Sequence, residues 1–177
     1  MASSPPPPSA VRRDEVDLIV DGWRRARGDL GVDPLAVFSR ISRLARFLET
    51  ARRESFAAAD LEGWEFDMLS ALRRSGEDAL SPGALMRQTL VTSGTMTTRI
   101  DKLVARGLVS KARSPHDGRA VEVRLQPEGV SRVDAAMERL LAAERDLLGP
   151  LDASSREHLT VALRELLLTF EDDDPTP

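Results

Sequence analysis

Residues 81–125 read SPGALMRQTLVTSGTMTTRIDKLVARGLVSKARSPHDGRAVEVRL, and this stretch decides the fold. Ser81 before Pro82 places a capping hydroxyl ahead of a proline at the first helical position, where the missing N–H costs nothing. In the helix that follows, Ala84 and Leu85, and then Thr89 to Leu90, are expected to turn inward. Val91-Thr92-Ser93 is a short turn, with Thr92 capping a second helix over about 93–106. In that helix Met96, Ile100, Leu103 and Val104 recur at i, i+4, i+7 and i+8, a single apolar stripe. Ser93, Thr95, Thr97, Thr98, Arg99 and Lys102 are left pointing elsewhere. Gly107 ends the helix as a left-handed cap, and a short strand over 108–113 follows. The run Ser114-Pro115-His116-Asp117-Gly118 is turn chemistry, after which Val121, Val123 and Leu125 alternate with Glu122 and Arg124 as a half-buried return strand. Helix, tight turn, helix and hairpin spell a winged helix-turn-helix. The fold class is therefore mainly α with a small β wing.

Charge singles out the same stretch. Arg87, Arg99, Lys102, Arg106, Lys111, Arg113, Arg119 and Arg124 face only Asp101, Asp117 and Glu122, so these residues carry +5 in a chain whose net charge is −4. The remainder is then −9. A basic island in an acidic protein is the electrostatic footprint of a nucleic-acid face. Aromatic residues make up 4% of the chain and Tyr is absent, so the stacking platforms of single-strand binders are missing and the partner expected is double-stranded DNA.

Working outward, Leu61 to Ser75 reads as a helix burying Trp64, Met68, Leu69 and Leu72, with Gly76 as its stop. Upstream of it, a long helix over about 34–58 opens at Pro34 and carries Val37, Ile41, Leu44 and Leu48 on one stripe beside Phe38 and Ala45, an amphipathic core helix. Val11 to Asp29 forms a further helix, with Val16, Ile19, Val20, Trp23 and Arg27 near one face. Residues 1–10 are Pro- and Ser-rich and read as a disordered arm. Downstream, Pro127 opens a helix to about Leu148 with Val130, Val133, Met137, Leu140, Leu141, Leu147 and Leu148 near a heptad rhythm. Gly149-Pro150 breaks it. A last helix over about 154–171 carries Leu159, Ala162, Leu163, Leu166, Leu167 and Phe170, and 172–177 is an acidic tail. The expected organisation is one domain over 11–171, its 11–58 and 127–171 segments forming a helical dimerisation lobe and 61–126 the winged helix-turn-helix.

With 177 residues the chain has material for one core with two lobes. There is no Cys, hence no disulfide and no thiolate site, and the two His are far apart in sequence, so no metal and no cofactor is expected. No apolar run approaches the ~18 residues of a membrane span, and the first residues lack a signal-peptide pattern; the expected location is cytoplasmic. No nucleophile–base pair, P-loop or dinucleotide fingerprint is legible, so an enzyme is not expected.

A helix that reads the major groove needs small hydroxyl side chains that let the backbone approach, plus long cations that reach guanine edges or phosphates. Ser93, Thr95, Thr97, Thr98, Arg99 and Lys102 supply both. Arg113, Asp117 and Arg119 belong to the hairpin, where a guanidinium at the tip can enter a narrow minor groove with a carboxylate fixing its orientation. The alternatives are a merely solvated helix face and an ordinary Asp-Gly turn. A third reading, from a different functional class, is a winged-helix module for protein interaction or architecture without an operator of its own.

Leu80-Ser81-Pro82, the hydroxyl-rich Thr92 to Thr98, Ile100-Asp101-Lys102-Leu103 through Arg106-Gly107-Leu108-Val109, the wing Asp117-Gly118-Arg119 and Leu125-Gln126-Pro127-Glu128-Gly129 together resemble the MarR family of bacterial transcription regulators. The resemblance extends over about 34–170. It implies a homodimer built from the first and last helices of the core, each protomer setting a recognition helix and a wing on one half-site of a pseudo-palindrome, most often as a repressor relieved by a small ligand.

Asp21-Gly22-Trp23 in the extra N-terminal helix, Glu65-Phe66-Asp67-Met68-Leu69 and Gly94 to Asp101 are similar to the urate-responsive branch of that family. There the resemblance implies a ligand crevice lined by Trp23, Asp67 and Arg99, with cations from the first wing strand. This chain has Lys111-Ala112-Arg113 where an Arg pair is usual. The effector implied is urate or another organic anion.

Overall fold

The computed structural model describes residues 12–89, 93–113 and 121–171. Its elements run α1 (Glu15–Ala26), α2 (Asp33–Ala57), α3 (Gly63–Arg74), α4 (Pro82–Thr89), α5 (Ser93–Ala105), β1 (Val109–Arg113), β2 (Val121–Leu125), α6 (Pro127–Leu147) and α7 (Ala153–Glu171). The chain divides into two compact units, 1–49 and 50–177, with α2 running through the boundary.

In the first unit, α1 begins at a capping box in which the Asp14 carboxylate accepts from the Val16 and Asp17 amides while Asp17 accepts from the Asp14 amide. Its apolar content is small: Val16, Val20 and Val32 are buried, with Leu35 and Ala36 packed on them. Ion pairs supplement this. Arg40 on α2 spans Asp14 (2.8 and 2.9 Å) and Asp17 (2.8 Å), Arg43 reaches Glu15 at 2.5 Å, and Arg24 reaches Asp33 at 2.8 Å. The helix is shorter than its sequence pattern suggests, and Trp23 is exposed rather than buried.

The second unit holds the main core. Phe56, Leu61, Phe66, Met68, Leu69, Leu72, Leu80, Leu85, Met96, Ile100, Leu103, Leu108, Val109, Val123, Val133 and Leu140 belong to one buried cluster, with the Phe56 and Phe66 rings stacked at 4.0 Å. Each side chain so buried contributes about 1.5–3 kcal/mol. Ser81 caps α4 by accepting from the Ala84 amide at 3.1 Å. The stripe Met96, Ile100 and Leu103 turns inward as its spacing requires, with Val104 half-buried. Gly76 and Gly107 have φ of +69° and +68°, the left-handed conformation that lets a helix stop without a Cβ clash. β1 and β2 pair antiparallel with Val109 opposite Leu125 and Arg113 opposite Val121, and Leu80 bridges the other side of β2 through reciprocal bonds to Val123 of 3.0 and 2.9 Å. The start of α4 is thereby tied to the wing strands. Arg73 of α3 forms a fork on Asp134 of α6 at 2.9 and 3.0 Å.

Two expectations need correction, the burial of the α2 stripe and that of Trp64. The stripe on α2 is not core in the single chain: Val37, Ile41, Leu44 and the adjacent Phe38 are 36–59% exposed, Leu48 is half-buried, and only Ser55 and Phe56 are buried in that helix. An amphipathic pattern shows that a face is apolar, not that the same chain covers it. On α7, expected as part of a dimerisation lobe, Leu159, Leu163, Leu166, Leu167 and Phe170 are all exposed in the single chain. In α6 the buried residues are Gly129, Val133, Ala136 and Leu140, while Met137, Leu141 and Leu147, and Leu148 just beyond the helix, face out. Trp64 is only half-buried, and Glu65, a charged residue next to it, is buried instead.

Candidate nucleic-acid interface

The two elements that would meet a duplex are α5 and the β1–β2 ladder. With Met96, Ile100 and Leu103 anchored in the core, helical geometry turns Ser93, Thr95, Thr97, Thr98 and Lys102 outward, and all five are exposed; Arg99 is half-buried. Thr98 donates to the Gly94 carbonyl one turn back at 3.3 Å, keeping its methyl and oxygen close to the backbone. Arg113 is exposed at the end of β1. Thr92, His116, Asp117 and Arg119 lie outside the described residues.

The cations of the basic island are used unequally. Arg106 is committed internally to Glu65 and Asp60, Lys111 pairs with Asp101, and Arg124 pairs with Glu122 at 2.6 Å. Among the described residues Arg99 and Lys102 have no carboxylate partner and instead sit over the Trp64 ring, with the Arg99 Cζ at 5.3 Å and the Lys102 Nζ at 5.9 Å from its centroid. The indole itself is oriented by donating from Nε1 to Glu62 at 2.6 Å. Trp64, Gly94, Thr95, Thr98, Arg99 and Lys102 line one open depression of about 360 Å³. A second, mainly apolar depression of about 330 Å³ lies between α5 and the strands, lined by Pro82, Thr97, Ile100, Ala112 and Val121 with Asp101, Lys111 and Arg113 around it.

Of the five side chains implied for a ligand, Trp23 belongs to the first unit and Asp67, Arg99, Lys111 and Arg113 to the second. Trp23 is 48% exposed. Asp67 is exposed on α3 and lies 3.5 Å from Arg52, whose guanidinium stacks on Phe56 at 5.1 Å. Lys111 and Arg113 share the apolar depression, while Arg99 lines the other one.

Sequence reasoning missed three of these relationships: Trp64 with Arg99 and Lys102, Arg52 with Asp67, and Glu65 with Arg106. Each joins residues from different elements, so no local spacing reports it. The single available signal was Glu62-x-x-Glu65, a reciprocal helix cap in which Glu65 accepts from the Glu62 amide at 2.9 Å.

Known proteins place this architecture. Residues 59–120 match the model of the MarR family. The chain is 33% identical over 150 residues to the HTH-type transcriptional regulator PecS of Dickeya dadantii, covering 84% of this chain and 90% of that protein. Among solved structures, Bordetella bronchiseptica BpsR, described for regulation of its DNA binding by 6-hydroxynicotinic acid, is 26% identical with a TM-score of 0.61, covering 78% of this chain and 94% of that one. A cysteine-to-serine mutant of MarR from E. coli complexed with operator DNA shares the fold at 22% identity and a TM-score of 0.64, covering 78% and 98%. Among the described residues no helix is long and apolar enough to cross a membrane. The winged helix-turn-helix, its outward-facing α5 and these likenesses together make the chain a member of the MarR family of transcriptional regulators.

Proposed function

We propose that the protein is a homodimeric repressor that sets α5 of each protomer into the major groove of one half-site of a pseudo-palindromic operator and is released by a small organic anion. The observation that carries this reading is the outward row of Ser93, Thr95, Thr97 and Thr98 flanked by Arg99 and Lys102, two cations without carboxylate partners among the described residues. The hydroxyls let the helix approach the base edges, and the cations reach guanine or phosphate. Arg113, Asp117 and Arg119 serve the wing. That a MarR of the same fold from E. coli is found complexed with operator DNA supports duplex DNA as the partner.

The exposed apolar faces of α2 and α7 support dimerisation, since solvent contact over so many Leu and Phe side chains is costly for a lone chain. A twofold dimer puts its two reading helices about 34 Å apart, one turn of DNA.

For the effector, the ligand named for BpsR supports a planar organic anion. By resemblance Trp23, Asp67, Arg99, Lys111 and Arg113 receive it, and urate is the first compound to test. Release follows if the anion binds the DNA-incompetent state more tightly, each 1.4 kcal/mol of preference being worth about tenfold.

Selecting duplexes from a randomised pool with the full chain, then measuring affinity against salt, tests the reading. A palindromic duplex bound at nanomolar protein, with affinity falling steeply as salt rises and resisting nonspecific competitor, is expected. Failure to enrich any sequence would favour the interaction-module alternative. Titration of urate, with aconitate as a second anion, into the wild type and Trp64→Phe should quench the emission of Trp23; no quenching in either protein sinks the ligand assignment.

A further inference from the structure

We infer that Asp60 is a positioning residue, the pivot of a charged latch that holds the end of the recognition helix α5 to the long helix α6. Asp60 sits in the turn between α2 and α3 with φ of +53°, a left-handed conformation that an Asp tolerates but most side chains resist. From one side its carboxylate and its carbonyl accept from Nη2 of Arg106 at 2.6 and 2.7 Å. From the other they accept from Nη1 of Arg132, whose Nε is held by Glu128 at 2.7 Å. Arg106, immediately beyond α5, is in turn fixed by Nη1 to Glu65, a carboxylate 2% exposed, at 2.5 Å. One left-handed turn residue therefore joins α3, the end of α5 and the first turns of α6 through two guanidinium forks. The flanking guanidiniums hold the Asp60 carboxyl below its ordinary range, so it stays ionised.

The placement has a consequence for a protein that reads two half-sites. Core packing of Met96, Ile100 and Leu103 holds α5 along its buried stripe, and the latch adds a charged tie from its C-terminal end to α6. Resting on the reading that the chain binds a two-half-site operator, the latch sets how far the reading helix stands from α6, and so how strictly half-site spacing is enforced. Arg106 belongs to the basic island by sequence, yet here it orients the helix rather than touching DNA.

Removing Arg106 strands the buried Glu65 carboxylate and threatens the fold, so the test goes through exposed Asp60 and through Arg132, which does not touch α5. Asp60→Asn keeps the left-handed turn and loses the charge; Arg132→Lys keeps the charge and loses the fork. Amide hydrogen exchange on the full chain without DNA is expected to rise at least tenfold over residues 100–106 in both variants, with α7 unchanged and melting temperature within a few degrees of wild type. With the duplex that wild type selects, and versions lengthened or shortened by one base pair at the centre, Asp60→Asn is expected to flatten a preference of about thirtyfold to about threefold while nonspecific affinity stays within twofold. Unchanged exchange over 100–106 in both variants, or an unchanged spacing preference in Asp60→Asn, overturns the latch. Should wild type itself select no duplex, the regulator reading fails by that result alone, and the exchange measurement still decides the latch.

Discussion

Arg99 lies with its guanidinium carbon 5.3 Å from the centroid of the Trp64 ring, and Lys102 shares that ring at 5.9 Å. Two cations of the reading helix are thus held by one side chain of α3. The arrangement stores both positive charges in a limited set of rotamers with no carboxylate partner among the described residues.

Trp64→Ala is accordingly expected to weaken operator binding about two- to fivefold, the equivalent of an exposed cation–π contact, because the freed side chains must be ordered again on DNA. Trp64→Phe, which keeps a π face, should stay near wild type. Fluorescence anisotropy with a labelled duplex measures both, and equal affinity for Trp64→Ala and wild type would remove the indole from the interface argument.

Arg99→Ala and Lys102→Ala should separate reading from anchoring. A base-edge contact costs about 1–3 kcal/mol and relaxes preference at one base pair, whereas a phosphate contact weakens all sequences alike and lowers the salt slope by about one. Arg119→Ala provides the same comparison for the wing. If none of the three changes affinity for any duplex, these residues do not touch DNA.

Gly129 stands in the first turn of α6, where an added Cβ would collide with the Leu108 carbonyl oxygen and come within 3.0 Å of its carbon and 3.3 Å of Leu125 Cδ2. The obstacle is mainly backbone and cannot rotate away. Gly129→Ala should cost about 1–3 kcal/mol, the usual range for overpacking, despite the better helix propensity of Ala; urea denaturation reads it out.

The docking of α1 depends on carboxylates. Arg40 holds the Asp14 carboxyl below its ordinary 3.8, chiefly by hydrogen bonding. A carboxylate depressed on folding contributes stability that is fully present above 3.8 and is lost as pH falls through its lower folded value. In a Trp64→Phe background, where Trp23 is the only indole of the two left, its emission should report release of α1 below that pH. Asp14→Asn, which still caps the helix, should flatten the acid transition, and high salt at neutral pH should weaken docking in wild type more than in that variant.

The outward faces of α7 test the dimer. Leu163→Glu with Leu167→Glu alters no buried side chain of the single chain, both residues being exposed there. Light scattering should therefore show a folded monomer with wild-type helix content. A persistent dimer would place the interface elsewhere.

Much of the framework was legible in the linear chain because it rests on local chemistry. Ser81-Pro82 starts a helix, Gly107 stops one, Met96, Ile100 and Leu103 recur with the period of a buried face, and the alternation from Val121 to Leu125 makes a strand with one side inward. Each signal is read within a few residues, and the exposed row from Ser93 to Lys102 follows from the stripe by subtraction. The apolar stripes of α2 and α7 were visible too, but periodicity does not say whether an apolar face is covered by its own chain, and here it is not. Only tertiary structure decided which charges are spent and which are available. Glu65 and Arg106 are 41 residues apart, and Arg132 lies 72 from Asp60. Coulombic and hydrogen-bond partnerships act through space at about 3 Å, so the fold alone could turn Arg106 into a latch and leave Arg99 and Lys102, on the same basic island, facing outward over an indole.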